Sequence, residues 1–201
     1  MLIRHGETPG NAERIVQTAD VPLSPRGMVQ AERLAQRLQR TGIARILSSD
    51  LVRATMTAEY LRRATGVPIQ LDPLLQERSF GEIRGTPYDQ LRVDIFAPDY
   101  RPPGGESWEI FHARVDRAWE LIGRVAAETE GHLAVVTHGL VCRSLAARHL
   151  ILADGQEAPM RWANTGLTVA DGPVPWRVRL LNCSAHLDGD LADRASDAGP
   201  A

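Results

Sequence analysis

Two cysteines, Cys142 and Cys183, are all that 201 residues contain, which excludes a disulfide framework, and neither stands in a Cys-x-x-Cys or zinc-type spacing. Both are expected to be small buried residues. The chain also lacks a basic excess. Its formal charge is -2, which excludes the broad electrostatic attraction that nucleic-acid and membrane-surface binding need. Any anion must then be gripped by a local pocket. No apolar stretch approaches the ~20 residues of a membrane span, and no basic leader with an apolar core opens the chain, so a cytoplasmic location is expected. What is present is ordinary for a globular protein, with 43% apolar and 24% charged residues. The length suits one well-buried domain, expected over residues 1–186, with a fraying tail rich in Asp, Ala and Gly over 187–201.

Strand-like and helix-like segments alternate along the chain. That pattern predicts an α/β fold, a three-layer α/β/α sandwich whose mostly parallel sheet carries helices on both faces. Ser24-Pro25 reads as an N-cap with proline at the first helical position, and Met28, Ala31, Leu34, Ala35 and Leu38 follow at helical spacing. A strand is expected over 43–47, then a helix over 51–64 capped by Asp50 and stopped at Gly66, then a strand over 67–71. Residues 72–105 are rich in Pro and Gly and too long for a plain connection, which marks the stretch as functional. Ser107 opens the longest helix, with Ile110, Phe111, Val115, Ala118, Leu121, Ile122 and Val125 as its apolar positions. A strand from His132 to Thr137, a helix over 140–152 and strands over 167–170 and 177–181 complete the pattern.

Two of the strands end alike. Leu2-Ile3-Arg4-His5-Gly6 and Val135-Val136-Thr137-His138-Gly139 each run from an apolar strand into histidine and then glycine, so two imidazoles stand on the rim of the sheet. Two further segments belong with them: Ser48-Ser49-Asp50-Leu51-Val52-Arg53-Ala54, and Glu77-Arg78-Ser79-Phe80-Gly81 with Gly85. In order and spacing the four together resemble the histidine phosphatase superfamily, the phosphoglycerate mutase-like family, from residue 2 to about residue 170. Asn11, Gln17, Pro22-Leu23-Ser24 with Gly27, Gln30-Ala31, Gly104-Gly105-Glu106-Ser107 and Asn164 extend the match. The resemblance implies a phosphohistidine enzyme that acts on a small phosphate monoester with neither metal nor organic cofactor.

The residue types suit that chemistry. A phosphate monoester is a dianion with a poor leaving group, so cleavage needs a nucleophile, a cationic cradle and a proton for the departing oxygen. Neutral His5 can attack phosphorus through one ring nitrogen if a backbone carbonyl holds the other N–H. Arg4 and Arg53 can fork onto phosphoryl oxygens. His138, between a strand end and a helix start, is assigned to phosphoryl stabilisation. Glu77 is the best candidate for the proton donor, a role the resemblance also implies, and it can later take a proton from the hydrolytic water. The resemblance adds Asn11, Gln17, Thr18, Gly139, Glu106 and Asn164 around the phosphate. His112, His132, His149 and His186 read as structural or surface groups, and the four tryptophans as packing. Phe96 and Tyr100 are weaker candidates for the leaving-group pocket.

Departures from the family pattern bear on the substrate. Gln17 is followed by Thr18 where the family often has glycine, which adds a side chain where backbone usually nears the phosphate. The loop commonly Gly-x-Trp-Glu-Gly is Gly81-Glu82-Ile83-Arg84-Gly85, so an aromatic is lost, an acid becomes a base, and preference is expected to move toward more anionic esters. Only three residues precede Arg4, a short first strand that suggests a trimmed start. About twenty residues separate Gly85 from Glu106, whereas the mutases usually carry a longer insertion that keeps water out. A phosphatase is therefore read first and a mutase second, although Arg78 beside Glu77 resembles the mutases. A non-catalytic phospho-ligand module conflicts with the presence of both His5 and Glu77. A two-histidine metal hydrolase conflicts with the lack of His-x-His, His-Glu-x-x-His or an aspartate-rich set. Neither nucleic acid nor membrane is expected as a partner, and a homodimer stays open.

Overall fold

The computed structural model describes residues 1–187 and Leu191. Six strands form one sheet in the order β3-β2-β4-β1-β5-β6. Strands β1 (Leu2–Arg4), β2 (Ile43–Ser48), β3 (Ile69–Leu71) and β4 (His132–Thr137) are mutually parallel, while on one flank β5 (Leu167–Asp171) pairs antiparallel with β1 and β6 (Arg177–Cys183) antiparallel with β5. The sheet is covered on both faces because its central strands are apolar on both. Successive side chains of a strand point to opposite sides. Leu2, Leu47, Leu133 and Val135 join one core with helices α4 (Trp108–Ala127) and α5 (Gly139–His149). Their neighbours Ile3, Ile46, Ala134 and Val136 join the other, with α2 (Pro25–Leu38) and α3 (Val52–Thr65). The three-layer sandwich follows from that alternation.

Several boundaries shift for local reasons. Leu51, not Asp50, is the N-cap of α3 and makes no side-chain cap bond, while the Asp50 carboxylate accepts two hydrogen bonds from Gln76. Strand β3 starts at Ile69 because Pro68 has no N–H to give a ladder. Helix α5 stops at His149, three residues short of the expected end. Ile151 leaves it to pair with β6, giving its N–H to the Trp176 carbonyl at 2.9 Å and accepting from the Val178 N–H at 2.8 Å. The apolar stripe of α4 omits Ile110, which is 47% exposed. Cys142 is buried as expected, but Cys183 is only partly so and accepts N–H groups from Arg37. A single-turn helix α1 (Pro9–Ala12), capped by Thr8, escaped the sequence reading. Residues 72–105 hold three short 3-10 turns and a small core of their own, in which Phe80 and Ile95 pack with Val16.

Of the tail expected to fray, Leu187 is buried and the Leu191 carbonyl accepts from Gln30, while the rest lies outside the described residues. Among the described residues, no helix is long and apolar enough to cross a membrane.

Candidate active site

The carboxyl ends of β1, β2 and β4 meet at one edge of the sheet, where open α/β folds place their ligands. The His5 N–H donates to the Thr137 carbonyl and the Ser49 N–H to the Val136 carbonyl, both at 2.9 Å, so three strand ends are sewn together. That brings the His5 and His138 rings to 5.1 Å between centroids. The turn after His5 needs glycine twice. A Cβ on Gly6 would stand 2.6 Å from the Gly27 carbonyl oxygen, and one on Gly27 would stand 2.0 Å from that of Glu7. Glu7 is buried in this crossing, where its carboxylate accepts from Ser24 and pairs with Arg26.

His5 is 3% exposed. Its Nδ1 lies 2.7 Å from the Gly6 carbonyl. A carbonyl only accepts, so Nδ1 carries the proton and Nε2 keeps its lone pair. Burial, and after it the charges of Arg53 and Arg4, hold this imidazole well below the usual histidine range, so it is neutral at physiological pH. The Asn164 amide and the Thr165 N–H both donate to the His5 carbonyl, at 3.0 and 3.2 Å. Thr165 is fully buried at a φ of 53°, a region that a β-branched residue enters only under constraint. His186 grips its hydroxyl from behind at 2.9 Å.

His138 is likewise buried and held well below its usual range by burial, by Arg53 and by His5. Its Nε2 is 2.9 Å from Ser49 Oγ, which already accepts the Leu51 N–H at 3.3 Å. A serine that gives its proton to Nε2 leaves Nδ1 as the nitrogen that carries the hydrogen. Ser49 belongs to a segment the sequence had singled out, yet only the fold gives it this part.

Arg4 is anchored by the Trp162 carbonyl, and Arg53 by the Thr18 carbonyl at 3.0 Å. Desolvation lowers Arg53 to about 10, which leaves it charged. Among the described residues, the Arg4 Nε and Arg53 Nε donors and the His138 Nδ1 ring nitrogen are buried with no hydrogen-bond partner. Leaving such a donor unpaired costs about 1–3 kcal/mol, more for a charged group. Three such nitrogens around one imidazole form a cluster that the oxygens of an anion can satisfy.

Glu77 completes the ring of groups. Its two carboxyl oxygens accept the backbone N–H groups of Arg78 and Leu140, at 3.0 and 3.2 Å. Burial pushes its carboxyl up, against the pull of those N–H groups and of Arg53 and Arg4. A cleft of about 220 Å³ is lined by Arg4, His5, Arg53 and Glu77, and by Asn11, Gln17, Thr18 and Gly139 of the expected phosphate set. Asn11 and Gln17 both hold the Thr8 hydroxyl.

Two expected phosphate contacts stand elsewhere. Glu106 does not line the cleft: its carboxylate is taken by Arg114 at 2.7 Å and by the Ser79 N–H at 2.8 Å, closing the loop that carries Glu77. Asn164 acts from behind His5. Arg78 is buried at 2% exposure, gives its guanidinium to three carbonyls and stacks 3.9 Å from the Trp108 ring, so it braces the loop. Phe96 lines the cleft, and Tyr100 does not.

Paired histidines and arginines meet at the carboxyl edge of the parallel strands of an α/β fold. Comparison with known families narrows that description: the chain belongs to the histidine phosphatase superfamily, branch 1, whose family pattern matches residues 1–183. Members are phosphatases or phosphotransferases. The chain is 31% identical over 208 residues to a probable phosphoglycerate mutase GpmB of Enterobacter sp. (strain 638), covering 96% of each. Bacillus stearothermophilus YhfR is 31% identical, with a TM-score of 0.77 over 92% of this chain and 96% of that one. A mycobacterial glucosyl-3-phosphoglycerate phosphatase, solved with VO3, is 26% identical, with a TM-score of 0.75 over 90% and 97%.

Proposed function

We propose that the protein is a phosphomonoesterase that hydrolyses small phosphorylated metabolites through a phosphohistidine on His5. The carrying observation is the set of buried, unpartnered nitrogens of Arg4, Arg53 and His138 around a neutral imidazole whose Nδ1–H is already held by Gly6. A phosphoryl group supplies the oxygens those donors lack, and Nε2 the lone pair that phosphorus accepts.

In the first half-reaction the Nε2–P bond forms as the P–O ester bond breaks, and Glu77 gives its proton to the departing oxygen. The raised carboxyl suits it to that task. In the second, the Glu77 carboxylate takes a proton from water as the water oxygen attacks phosphorus, and the P–N bond breaks to release phosphate. A phosphotransferase of the mutase kind is the second reading, favoured by the GpmB relative's name. The short wall between Gly85 and Glu106 favours water as the acceptor.

The test is an acid-sensitive trap. Enzyme mixed with a ³²P-labelled monoester and quenched should carry an acid-labile, alkali-stable phosphate that His5→Ala abolishes. Label on serine or aspartate would overturn the mechanism. Isomerisation of 3-phosphoglycerate outpacing phosphate release would favour the phosphotransferase.

A further inference from the structure

The cleft carries more positive charge than a phosphoryl group can use. Six arginines line it, Arg4, Arg14, Arg53, Arg78, Arg84 and Arg161, against one carboxylate, Glu77. This concentration stands in a chain whose formal charge is -2. A phosphate dianion is matched by Arg4 and Arg53. Arg78 is bound to carbonyls, and Arg161 has an interaction of its own. Arg14 and Arg84 are left over. Among the described residues neither pairs with a carboxylate; Arg84 reaches only Ser79 Oγ, at 3.0 Å, and the Arg14 guanidinium lies 5.9 Å from the Tyr88 ring centre.

Their placement is built. The Val16 N–H donates to the Thr86 carbonyl at 3.0 Å, the Gly85 N–H to Val16 at 2.6 Å and the Tyr88 N–H to Arg14 at 2.8 Å, so the two segments form a small ribbon on the wall of the cleft. Arg14 stands at one end and Arg84 at the other. Arg14 holds a left-handed backbone, φ 56°, which a side chain-bearing residue adopts at a cost and which concentrates at functional sites. After burial and Arg4, the charge of Arg84 also lowers the proton affinity of Arg53. Arg84 replaces an acid of the common loop pattern, so the charge of this wall is reversed.

In-line attack from His5 sends the leaving group away from the imidazole, into the cleft that Glu77, Arg14 and Arg84 also line. We infer that Arg14 and Arg84 form a second anion site, which selects monoesters whose leaving group carries a carboxylate or a second phosphate a few bonds from the ester oxygen. The inference rests on the phosphatase reading above.

Three esters of one carbon skeleton test it: glycerol 3-phosphate, 3-phosphoglycerate and glycerol 1,3-bisphosphate. Wild type should favour at least one of the two anionic leaving groups over glycerol by about ten- to a hundred-fold in kcat/KM, the usual worth of a charged hydrogen bond. Arg14→Gln and Arg84→Gln should each bring that ratio toward one through KM, and Arg84→Glu should take it below one. The better anionic arm tells a carboxylate from a phosphate, and either outcome supports the site. Equal wild-type values for all three esters, or equal losses in the variants, overturn it and leave the phosphatase reading standing. No turnover of any ester and no phosphate on His5 would overturn both.

Discussion

Glu77 can act as an acid only because the fold keeps its proton on at a pH where an exposed glutamate has lost it. Burial raises its carboxyl, and the first half-reaction should therefore continue to higher pH than an ordinary carboxyl allows. Toward acid the limit is His5, whose depressed proton affinity keeps the nucleophile unprotonated well below the usual histidine range. If Glu77 protonates the leaving oxygen, Glu77→Gln should slow single-turnover phosphorylation by an alkyl phosphate about 10² to 10⁴-fold, and by p-nitrophenyl phosphate far less. An equal loss for both would reduce Glu77 to a shaping role. If its hydroxyl donates to His138 Nε2, Ser49 acts one step further back, by fixing which nitrogen of His138 holds the proton. Ser49→Ala should lower kcat about ten-fold while KM moves little, since the hydrogen bond is needed most as charge develops on the phosphoryl oxygens. Ser49→Thr, which keeps the hydroxyl, should restore much of the rate. If the alanine variant instead raised KM alone, with kcat intact, the tautomer argument would fail.

At the scale of elements, the site depends on how closely β1 runs into α2. The carbonyl contacts of Gly6 and Gly27 leave no room for a methyl group, and the Glu7 N–H, 2.9 Å from Gln30 Oε1, ties the two elements further along. Gly27→Ala should destabilise the fold by roughly 1–3 kcal/mol, the usual cost of overpacking. That is about 2–4 °C of Tm per kcal/mol at this size, read by thermal unfolding. Activity should fall with it, because His5 sits on the displaced turn; an unchanged Tm and rate would mean that the crossing is soft. The helices and central strands were legible in the sequence because each carries its own signal: Ser24-Pro25 for α2, Ser107 for α4, two-sided apolar runs for β2 and β4. Boundaries were lost where a partner from elsewhere in the chain intervened. Pairing with β6 draws Ile151 out of α5, and nothing within residues 140–152 announces that competitor. The four-residue α1 is too short for any periodicity to show.

The whole molecule adds what no segment holds. His5, His138, Arg4, Arg53 and Glu77 come from four distant stretches, and motif order alone sufficed to gather them. Glu106 was misplaced because a carboxylate beside a glycine turn reads the same whether it faces a ligand or, as here, Arg114. Ser49 stood in a recognised segment, but neither its part nor that of Thr165 could be read, since each depends on a contact across the chain, 89 and 21 residues away. The same burial shapes the pH response of stability. In the unfolded chain the side chains that titrate between about pH 5 and 8 are the six histidines. Burial depresses four of them, His5, His138, His112 and His186, the last to about 4. Below the unfolded value of 6.5 the unfolded chain binds protons that the fold refuses, so stability is lost as the pH falls. Glu77 opposes them, since its raised carboxyl gives stability that is lost as the pH rises above about 4.5, but it is one group against several. Each histidine costs up to about 1.4 kcal/mol per pH unit over its own window. The Tm should therefore rise from pH 5 to pH 7 at fixed ionic strength, and His186→Gln, which removes one of these groups without touching His5, should flatten the slope. A Tm that is level or falls over that interval would mean that the buried imidazoles accept protons in the folded state, and the neutral nucleophile assigned to His5 would lose its basis.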